Sequence, residues 1–543
     1  MTEWNFADFW ELVAQVQPDA PAITQGDRTI TWHQLDARAD ALAHALLERG
    51  AGHQDKVAQY LHNCPEYLES VFACFKASLA PVNTNYRYSD DELLYLWDNC
   101  DAVAVVFHGC FCDNVERIRD RLPGVRTWLW VDDGSGTCPP WAVPYESLAS
   151  RVIDDAMRPV RHPSGRSGRD LWFLYTGGTT GMPKGTMWEQ DTIIRASMNS
   201  ALSMLPDDMA GMRARLLETG VGPTMLVVPP LMHGTGQLMS LTQMSSGAHV
   251  VLSDRRSLDA ADVCRLITTH RVNVVVIIGD TMTKPVLAEL DAHHGDGTYD
   301  LSSVLMMLSS GVMWSEGVKQ ALLRHNPAMV LFDSLGSSEA VGMASTMTTA
   351  QGSTKTASFA LGDHAVVITD DGRLVEAGSG EIGRVGIRAL TPIGYYKDPA
   401  KSAQTFPVFD GVRYALPGDF ATVEADGSIV LLGRGSQCIN TGGEKVFPEE
   451  VEEVLKLHDT VHDAVVVGVP DDRFGESVTA VVELMPGATL DAAALRDHVK
   501  THIAHFKAPR QVVAIGTIGR APNAKVDYKR LRTYAAEQLG IAL

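Results

Sequence analysis

Apolar and polar positions alternate along the first hundred residues in a way that predicts short strands between amphipathic helices. Apolar runs predict strands at residues 22–24, 29–32, 57–61 and 102–107, and helical spacing predicts helices near residues 35–47, 65–79 and 90–97. Repeated strand–helix alternation is typical of a layered α/β domain with a parallel sheet. The N-terminal part of the chain is therefore predicted to be a large α/β domain.

Further buried strands are predicted in the middle of the chain. The apolar runs are residues 224–230, 272–278, 304–308 and 329–332, and the segments after them carry Gly, Ser, Asp and Glu. Ligands in open α/β sheets bind beyond the carboxyl ends of the strands. We therefore expect these four strand ends to line one shared cleft.

The pattern changes again in the last third of the chain. Short strands with Gly- and Asp-containing turns predict a β-rich subdomain over residues 362–387. After residue 434, alternating strands and helices predict a small α+β domain of ordinary size. We therefore predict two domains, residues 1–434 and residues 435–543.

Composition narrows the classes of function. A chain of 543 residues is too long for one simple core, and its formal net charge of −20 argues against a nucleic-acid or anionic-membrane binder. No apolar run is long enough to span a membrane, and the first six residues lack the features of a signal peptide. Eight cysteines without zinc spacing indicate reduced thiols. These features predict a cytoplasmic protein.

The densest chemical signal is the segment Thr-Gly-Gly-Thr-Thr-Gly-Met-Pro-Lys-Gly at residues 176–185. Glycine allows close approach of the backbone to a ligand, and successive exposed N–H groups form a concavity that binds anions. Threonine hydroxyls add donors, and Lys184 adds positive charge. Pro183 before Lys184 excludes a Walker A loop. The segment predicts a phosphate-binding loop, with a plain surface loop as the alternative.

Residues 176–185 resemble the phosphate loop of the adenylate-forming superfamily, which includes acyl-CoA synthetases, peptide-synthetase adenylation domains and beetle luciferases. Residues 333–339 resemble its Tyr-Gly-x-Thr-Glu motif, with Leu335 where an aromatic ring commonly packs on adenine, and with Ser338 for threonine. The resemblance runs from about residue 8 to residue 532. It is nearest to bacterial fatty acyl-CoA synthetases, including steroid side-chain CoA ligases, and implies the α/β fold described above with a mobile C-terminal domain.

The resemblance also assigns site residues. Contacts with the nucleotide phosphates, adenine and ribose are implied for Thr176, Gly177, Gly178, Thr179, Thr180, Gly181, Lys184, Ser310, Gly311, Val312, Asp333, Ser334, Leu335, Gly336, Ser338, Asp419 and Arg434. Glu339 is the implied magnesium ligand, and Gly442 and Gly443 would admit the pantetheine arm of coenzyme A. Lys525 matches a lysine that reaches the substrate carboxylate and the α-phosphate, although Ala524 stands where the superfamily has glycine.

The implied reaction uses ATP, Mg²⁺ and coenzyme A. A carboxylate attacks the α-phosphorus to give acyl-AMP and pyrophosphate, and the thiol of coenzyme A then displaces AMP. Between the steps the small domain would rotate about Ser436 and withdraw Lys525. The implied catalytic set is Lys525, Glu339, Thr179 and His233, where His233 gates the acyl pocket and is not assigned as a base.

The sequence leaves the acid open between a fatty acid and a bulky acid such as a steroid side-chain acid. The main alternative is a stand-alone adenylating enzyme that loads a carrier protein in trans. A luciferase-like oxygenase and a non-catalytic binding protein are further alternatives. The expected partners are a small carboxylic acid and coenzyme A, with no nucleic acid and no integral membrane segment. The oligomeric state stays open, with a homodimer as one candidate.

Overall fold

The structure, a computed structural model, describes residues 3–176, 182–198, 205–352, 357–441, 444–471, 474–521, 526–541 and 543. Its helices are α1 (Phe6–Val16), α2 (Trp32–Glu48), α3 (Pro65–Lys76), α4 (Asp90–Asn99), α5 (Cys112–Ile118), α6 (Glu146–Ala149), α7 (Gln190–Met198), α8 (Met209–Thr219), α9 (Gly234–Met244), α10 (Ala260–His270), α11 (Gly279–Ala292), α12 (Glu316–His325), α13 (Pro399–Thr405), α14 (Pro448–Lys456), α15 (Ala492–His502) and α16 (Tyr528–Leu539).

The strands of the first half are β1 (Pro21–Gln25), β2 (Arg28–Thr31), β3 (Lys56–Tyr60), β4 (Ala80–Asn83), β5 (Ala102–His108), β6 (Thr127–Val131), β7 (Val143–Pro144), β8 (Leu171–Thr176), β9 (Lys184–Glu189), β10 (Thr224–Val227), β11 (His249–Leu252) and β12 (Val274–Ile277). Those of the second half are β13 (Met306–Ser310), β14 (Val330–Leu335), β15 (Ala344–Thr348), β16 (Ser358–Leu361), β17 (Ala365–Ile368), β18 (Gly383–Arg388), β19 (Gly394–Tyr395), β20 (Val408–Phe409), β21 (Val412–Val423), β22 (Ile429–Arg434), β23 (Ile439–Thr441), β24 (Glu444–Val446), β25 (Val461–Asp471), β26 (Gly475–Leu484) and β27 (Gln511–Ile515).

The chain divides into two compact units. The first unit contains residues 1–356 and 387–415, and the second contains residues 357–386 and 416–543. The β-rich segment predicted within the large domain thus belongs largely to the second unit. The division groups residues that contact one another and does not show whether one part moves against another. The predicted hinge and the predicted domain boundary after Arg434 therefore stay predictions.

One sheet of the first unit contains the four strands predicted from the middle of the chain. Its order is β15-β14-β13-β12-β10-β11-β1-β2, and the strands from β14 to β1 pair in parallel. Strands β15 and β2 pair antiparallel with β14 and β1. Parallel pairing places the carboxyl ends of β10, β12, β13 and β14 along one edge, as their patterns predicted.

The second sheet of this unit has the order β19-β9-β8-β4-β3-β5-β6-β7. Strand β9 pairs antiparallel with β8, from Leu171 opposite Glu189 to Thr176 opposite Lys184. Buried side chains that include Tyr60, Trp97 and Phe107 join the strands to α4 and α5. The antiparallel pair fixes both ends of the predicted phosphate loop, whose residues 177–181 lie outside the described residues.

Local chemistry explains several element limits. Trp32, predicted to end a strand, begins α2, because the Thr31 side chain accepts the Gln34 N–H in a capping box. Strand β14 extends to Leu335, so Asp333 lies on the strand and not in the loop predicted after it. The extension occurs because the β13 residues Ser309 and Ser310 continue the ladder opposite β14.

The second unit contains two sets of paired strands. Strands β17, β18, β21, β22 and β16 follow one another in the first, and β24, β23, β26 and β25 in the other, where β27 also pairs with β26. Alternate residues of β25 belong to two cores: Ala464 and Val466 pack with α14 and α15, and Val465 packs with α16. The predicted α/β fold class, with a large N-terminal part and a smaller C-terminal part, is confirmed.

Candidate functional site

The carboxyl ends of β13 and β14 bring together the residues predicted to contact adenine. Ser310 lies opposite Ser334 in the parallel ladder, and Gly311 follows with φ +96°, a conformation that favours glycine. A Cβ atom at Gly311 would lie 3.9 Å from Thr235 Oγ1, an ordinary van der Waals contact, so the positive φ and not crowding favours glycine there. Leu335 is half-buried at the end of β14. The two strand ends thus form one continuous edge.

Asp333 lies beneath this edge and is bonded within the protein. Its Oδ2 accepts a hydrogen bond from Lys319 Nζ at 2.9 Å, and both side chains are buried. Burial raises the pKa of Asp333, and the Lys319 ammonium opposes that shift. The pair ties α12 to β14. The Asp333 carboxylate therefore stabilises the end of β14. Direct contact of Asp333 with a nucleotide stays a prediction.

Glu339 lies in the turn after β14. The Ser337 hydroxyl accepts hydrogen bonds from the N–H groups of Glu339 and Ala340, each at 3.2 Å. From β9, Trp188 Nε1 donates to the Ser338 carbonyl at 2.8 Å. The half-buried Glu339 side chain accepts a hydrogen bond on Oε1 from the Tyr395 hydroxyl at 2.7 Å. The turn is therefore stabilised by its own Ser337 hydroxyl and by the Trp188 side chain of β9.

Lys184, the first residue of β9, lies close to the same tyrosine. Its Nζ is 5.7 Å from the centroid of the Tyr395 ring and 3.4 Å from Asp398 Oδ2. The Lys401 N–H and, to a smaller degree, Lys184 lower the pKa of Asp398. Lys184 and Glu339, predicted to serve phosphate and magnesium, thus lie against one side chain. Sequence reasoning gave Tyr395 no role, and its signal is the Gly-Tyr-Tyr-Lys-Asp-Pro run at residues 394–399.

His233 lies at the predicted acyl side of the sheet edge. It is the half-buried residue before α9, and its N–H donates to the Pro230 carbonyl at 3.0 Å. A Cβ at Gly236 would lie 2.8 Å from that carbonyl oxygen, so the turn requires glycine there. Nearby on α11, Asp280 Oδ1 accepts hydrogen bonds from Ser315 N–H at 2.9 Å and Oγ at 3.1 Å. Asp280 therefore braces the segment after β13.

The predicted ribose residues lie together in the second unit. Asp419 on β21 is opposite Arg434 on β22, and Arg434 Nε is 3.3 Å from Asp419 Oδ1. Asp419 is buried, whereas Arg434 is exposed. Their antiparallel register holds a carboxylate and a guanidinium side by side, which suits hydrogen bonding to ribose hydroxyls. Gly442, Gly443 and Lys525 lie outside the described residues.

The described residues contain no group of three or more His, Cys, Asp or Glu side chains able to hold a metal ion. The magnesium site predicted at Glu339 is of another kind, because Mg²⁺ usually binds one or two carboxylates together with substrate phosphates. The Glu339 carboxylate fits such a site, since Tyr395 donates to one of its two oxygens. No helix in the described part of the chain has the length and apolar character needed to cross a membrane.

A profile described as AMP-binding enzyme matches residues 10–393, and one described as AMP-binding enzyme C-terminal domain matches residues 450–525. The chain belongs to the AMP-binding enzyme family. The resemblance to the adenylate-forming superfamily is thereby confirmed, and this AMP-binding enzyme carries both of the domains that the resemblance implied.

Two curated relatives are similar to this AMP-binding enzyme over nearly its full length. It is 37% identical to a 3-oxocholest-4-en-26-oate–CoA ligase of Rhodococcus rhodochrous, with 99% of this chain and 96% of that protein covered. It is 38% identical to a medium/long-chain-fatty-acid–CoA/3-oxocholest-4-en-26-oate–CoA ligase of Mycolicibacterium smegmatis, with 98% and 97% covered. The predicted class, an AMP-forming CoA ligase, is confirmed by these relatives.

A solved structure agrees with the fold. The anthranilate CoA ligase AuaEII in complex with anthranoyl-AMP superposes with a TM-score of 0.83 at 22% identity, with 99% of this chain and 98% of that chain covered. At this identity the likeness establishes the fold of the AMP-binding enzyme and says nothing of its acid.

Proposed function

We propose that this AMP-binding enzyme is an ATP-dependent ligase that converts a fatty acid or a steroid side-chain acid to its acyl-CoA thioester through acyl-AMP. The observation that carries the proposal is the placement of Lys184 and Glu339 against the Tyr395 side chain. Lys184 comes from one sheet and Glu339 from the other. A cation and a carboxylate so placed suit a nucleoside triphosphate that binds with its metal ion.

In the first step an oxygen of the substrate carboxylate attacks the α-phosphorus, and the bond from that phosphorus to pyrophosphate breaks. Both reactants are anions, so fixed donors and cations carry much of the catalysis. We assign Lys184 and the loop at residues 176–181 to the β- and γ-phosphates, and Lys525 to the carboxylate and α-phosphate. When bound, Mg²⁺ would neutralise phosphate charge, and the Glu339 carboxylate would bind the metal ion.

In the second step the sulfur of coenzyme A attacks the acyl carbon, and the bond to the AMP oxygen breaks. We assign Gly442 and Gly443 to the passage of the pantetheine arm, and Asp419 and Arg434 to the ribose in both steps. Gly311 and Leu335 would contact adenine, and His233 would line the acyl pocket. The relatives that act on fatty acids and on 3-oxocholest-4-en-26-oate support the choice of acid.

Pyrophosphate release tests the reaction, with ATP, Mg²⁺ and a panel of acids that runs from acetate through long-chain fatty acids to steroid side-chain and aryl acids. Each acid is measured with and without coenzyme A. Turnover that requires coenzyme A and is fastest with long-chain or steroid acids is expected. A single burst that coenzyme A does not change would instead indicate an enzyme that loads a carrier protein, and turnover confined to acetate or aryl acids would overturn the substrate class.

Lys525→Ala tests the division of labour between the two steps. Removal of one preorganised charge-stabilising group typically lowers a rate by a factor on the order of 10²–10³. We expect at least that loss in pyrophosphate release from ATP, and little loss when purified acyl-AMP and coenzyme A are supplied. Equal losses in both half-reactions would contradict the withdrawal of Lys525 between the steps.

A further inference from the structure

Tyr395 contacts two residues that the proposed function assigns to different parts of magnesium–ATP. Its hydroxyl donates to Glu339 Oε1 at 2.7 Å, and the centroid of its ring lies 5.7 Å from Lys184 Nζ. The side chain is buried, with an exposed fraction of 7%. One rigid phenol ring therefore spans the distance between the assigned metal ligand and the assigned phosphate lysine.

The fold holds the backbone of Tyr395 beside β9, the strand that begins with Lys184. Tyr395 pairs with Thr186 in the antiparallel ladder of β19 and β9. Its N–H donates to the Ser402 hydroxyl at 2.8 Å, and the Phe406 ring packs 5.4 Å from its own. A side chain that is anchored in this way loses little freedom when it forms a further hydrogen bond.

The Glu339 side chain depends on that hydrogen bond. Within the described part of the chain, the other bonds of this turn involve backbone atoms, the Ser337 hydroxyl and the Trp188 indole. They hold the backbone of residues 337–340 and do not include the Glu339 carboxylate. The Tyr395 hydroxyl is the group that orients it.

We infer that Tyr395 is a positioning residue that holds the Glu339 carboxylate in the orientation needed for the metal ion of magnesium–ATP and keeps Lys184 beside it. The inference rests on the proposed function. Partners that orient a metal ligand typically change metal affinity by about 10–100-fold when they are removed. The Tyr395 hydroxyl therefore orients the Glu339 carboxylate by a hydrogen bond. The Tyr395 ring attracts the Lys184 ammonium by a cation–π interaction.

The chain offers a matched control in the next residue. The Tyr396 hydroxyl donates to Asp101 Oδ2, also at 2.7 Å, and accepts from Lys56 Nζ at 3.2 Å. Tyr396→Phe thus removes the same atom and the same kind of hydrogen bond as Tyr395→Phe, away from Glu339. Both variants keep the aromatic ring, so a difference between them reports the bond to Glu339.

The experiment measures binding by the full-length protein and does not depend on turnover. Calorimetric titrations compare ATP with Mg²⁺, ATP in the presence of a chelator, and Mn²⁺–ATP, and thermal melts verify folding. For Tyr395→Phe we expect the gain in ATP affinity on addition of metal to fall by about 10-fold or more, with chelated ATP bound within about twofold of wild type. Tyr396→Phe is expected to stay within about twofold of wild type in all titrations.

A double variant distinguishes an effect of Tyr395 that acts through Glu339 from one that is independent of Glu339. If Tyr395 acts through Glu339, Tyr395→Phe should cause no further loss of metal-dependent affinity in a Glu339→Gln background. Additive losses would overturn the inference, as would a Tyr395→Phe protein with wild-type metal dependence. A Tyr396→Phe protein as weak as Tyr395→Phe would overturn it too.

Failure of the proposed function gives a different result from failure of the inference. A wild-type protein that binds no ATP and releases no pyrophosphate with any acid contradicts the proposed function. A wild-type protein with metal-dependent ATP binding that Tyr395→Phe leaves unchanged contradicts the role of Tyr395 and leaves the ligase assignment intact.

Discussion

Two groups of charged residues in the first unit have opposite surroundings. Lys76 on α3 is fully buried, and its Nζ lies 2.7 Å from Asp36 Oδ1, 2.8 Å from Asp40 Oδ1 and 3.1 Å from Glu11 Oε1. Lys184 and Glu339, in contrast, are half-buried, and each has its described ion-pair or hydrogen-bond partner on the segment at residues 395–398. The first group is buried and paired within the protein by several ions of opposite charge, whereas the second is half-buried and has fewer described partners.

Arginines complete the Lys76 group. Arg166 is bonded to Glu11, and Arg158 to Asp36 and Asp40. Burial would raise the pKa of Glu11, but Lys76 and Arg166 outweigh it and hold the pKa at about 2. Such a closed network ties α1, α2 and α3 to the segment near residue 160. The difference teaches that a buried, multiply paired charge stabilises the fold, whereas a half-buried charge at a strand end, as at Lys184 and Glu339, is the kind of charge that the proposed function assigns to ligand binding.

The first prediction, with the largest change in stability, concerns the buried ion-pair network around Lys76. Lys76→Met leaves Glu11, Asp36 and Asp40 facing one another without their shared cation, and removal of one partner of a buried pair typically costs about 3–5 kcal/mol. We expect a loss of this size in the free energy of unfolding, measured by denaturant titration. The folded fraction should bind magnesium–ATP normally.

Lys397→Met is the matched control for this substitution. Lys397 pairs with Asp101 at 2.7 Å, and both side chains are about half exposed. Exposed pairs contribute about 0–1 kcal/mol, so little change in unfolding is expected. If Lys397→Met destabilises the protein as much as Lys76→Met, the distinction by burial is wrong.

The second prediction concerns the pair formed by Lys184 and Glu339. For Glu339→Gln we expect pyrophosphate release to slow by a factor on the order of 10²–10³, the usual loss for a preorganised charge at a reacting phosphate. The thermal midpoint should stay near that of wild type, because the turn is held by Ser337 and Trp188 and not by the carboxylate. Lys76→Met and Glu339→Gln should therefore show opposite phenotypes, and a large loss of stability in Glu339→Gln would contradict the comparison.

A further prediction sharpens the comparison with a carboxyl group that has no cation partner among the described ion pairs. Glu449, in the first turn of α14, accepts the Arg434 N–H on Oε1 at 3.4 Å, and its Oε2 has no hydrogen-bond partner among the described residues. Burial, and then Glu452 and Asp419, raise the pKa of Glu449 to about 8. The folded state therefore binds a proton that the unfolded state releases near pH 4.5.

The sign of the pH dependence follows from that difference. The stabilising contribution of protonated Glu449 is fully present below about pH 4.5 and is lost as the pH rises towards about 8, with a slope of at most about 1.4 kcal/mol per pH unit. Glu449→Gln cannot ionise, so we expect a flatter stability profile from pH 5 to pH 8, measured by thermal melts. Glu450→Gln is the control for the change of side chain, because it replaces the next carboxylate of the same helical turn, which is paired with Lys507. An unchanged slope in Glu449→Gln would contradict the assignment.

Much of the fold and part of the site could be predicted from local patterns. Apolar runs located β10, β12, β13 and β14, and parallel pairing placed their ends at one edge. The motifs located Glu339, Lys184, Asp419 and Arg434, and Asp419 and Arg434 indeed lie side by side. The limit of β14 at Leu335 was not predictable, because a strand ends where its neighbours stop pairing with it and not where its apolar run stops.

The partners of these residues were not predictable either. Tyr395 and Glu339 are 56 positions apart, Lys76 and Glu11 are 65 apart, and Trp188 and Ser338 are 150 apart. The superfamily and the order of the motifs could be read from the sequence alone, because they depend on residue type and local spacing. The three carboxylates around Lys76, and the contacts of Tyr395 with both Lys184 and Glu339, come from the tertiary structure. Periodicity specifies which face of an element is buried, whereas the packing of distant elements specifies what that face meets.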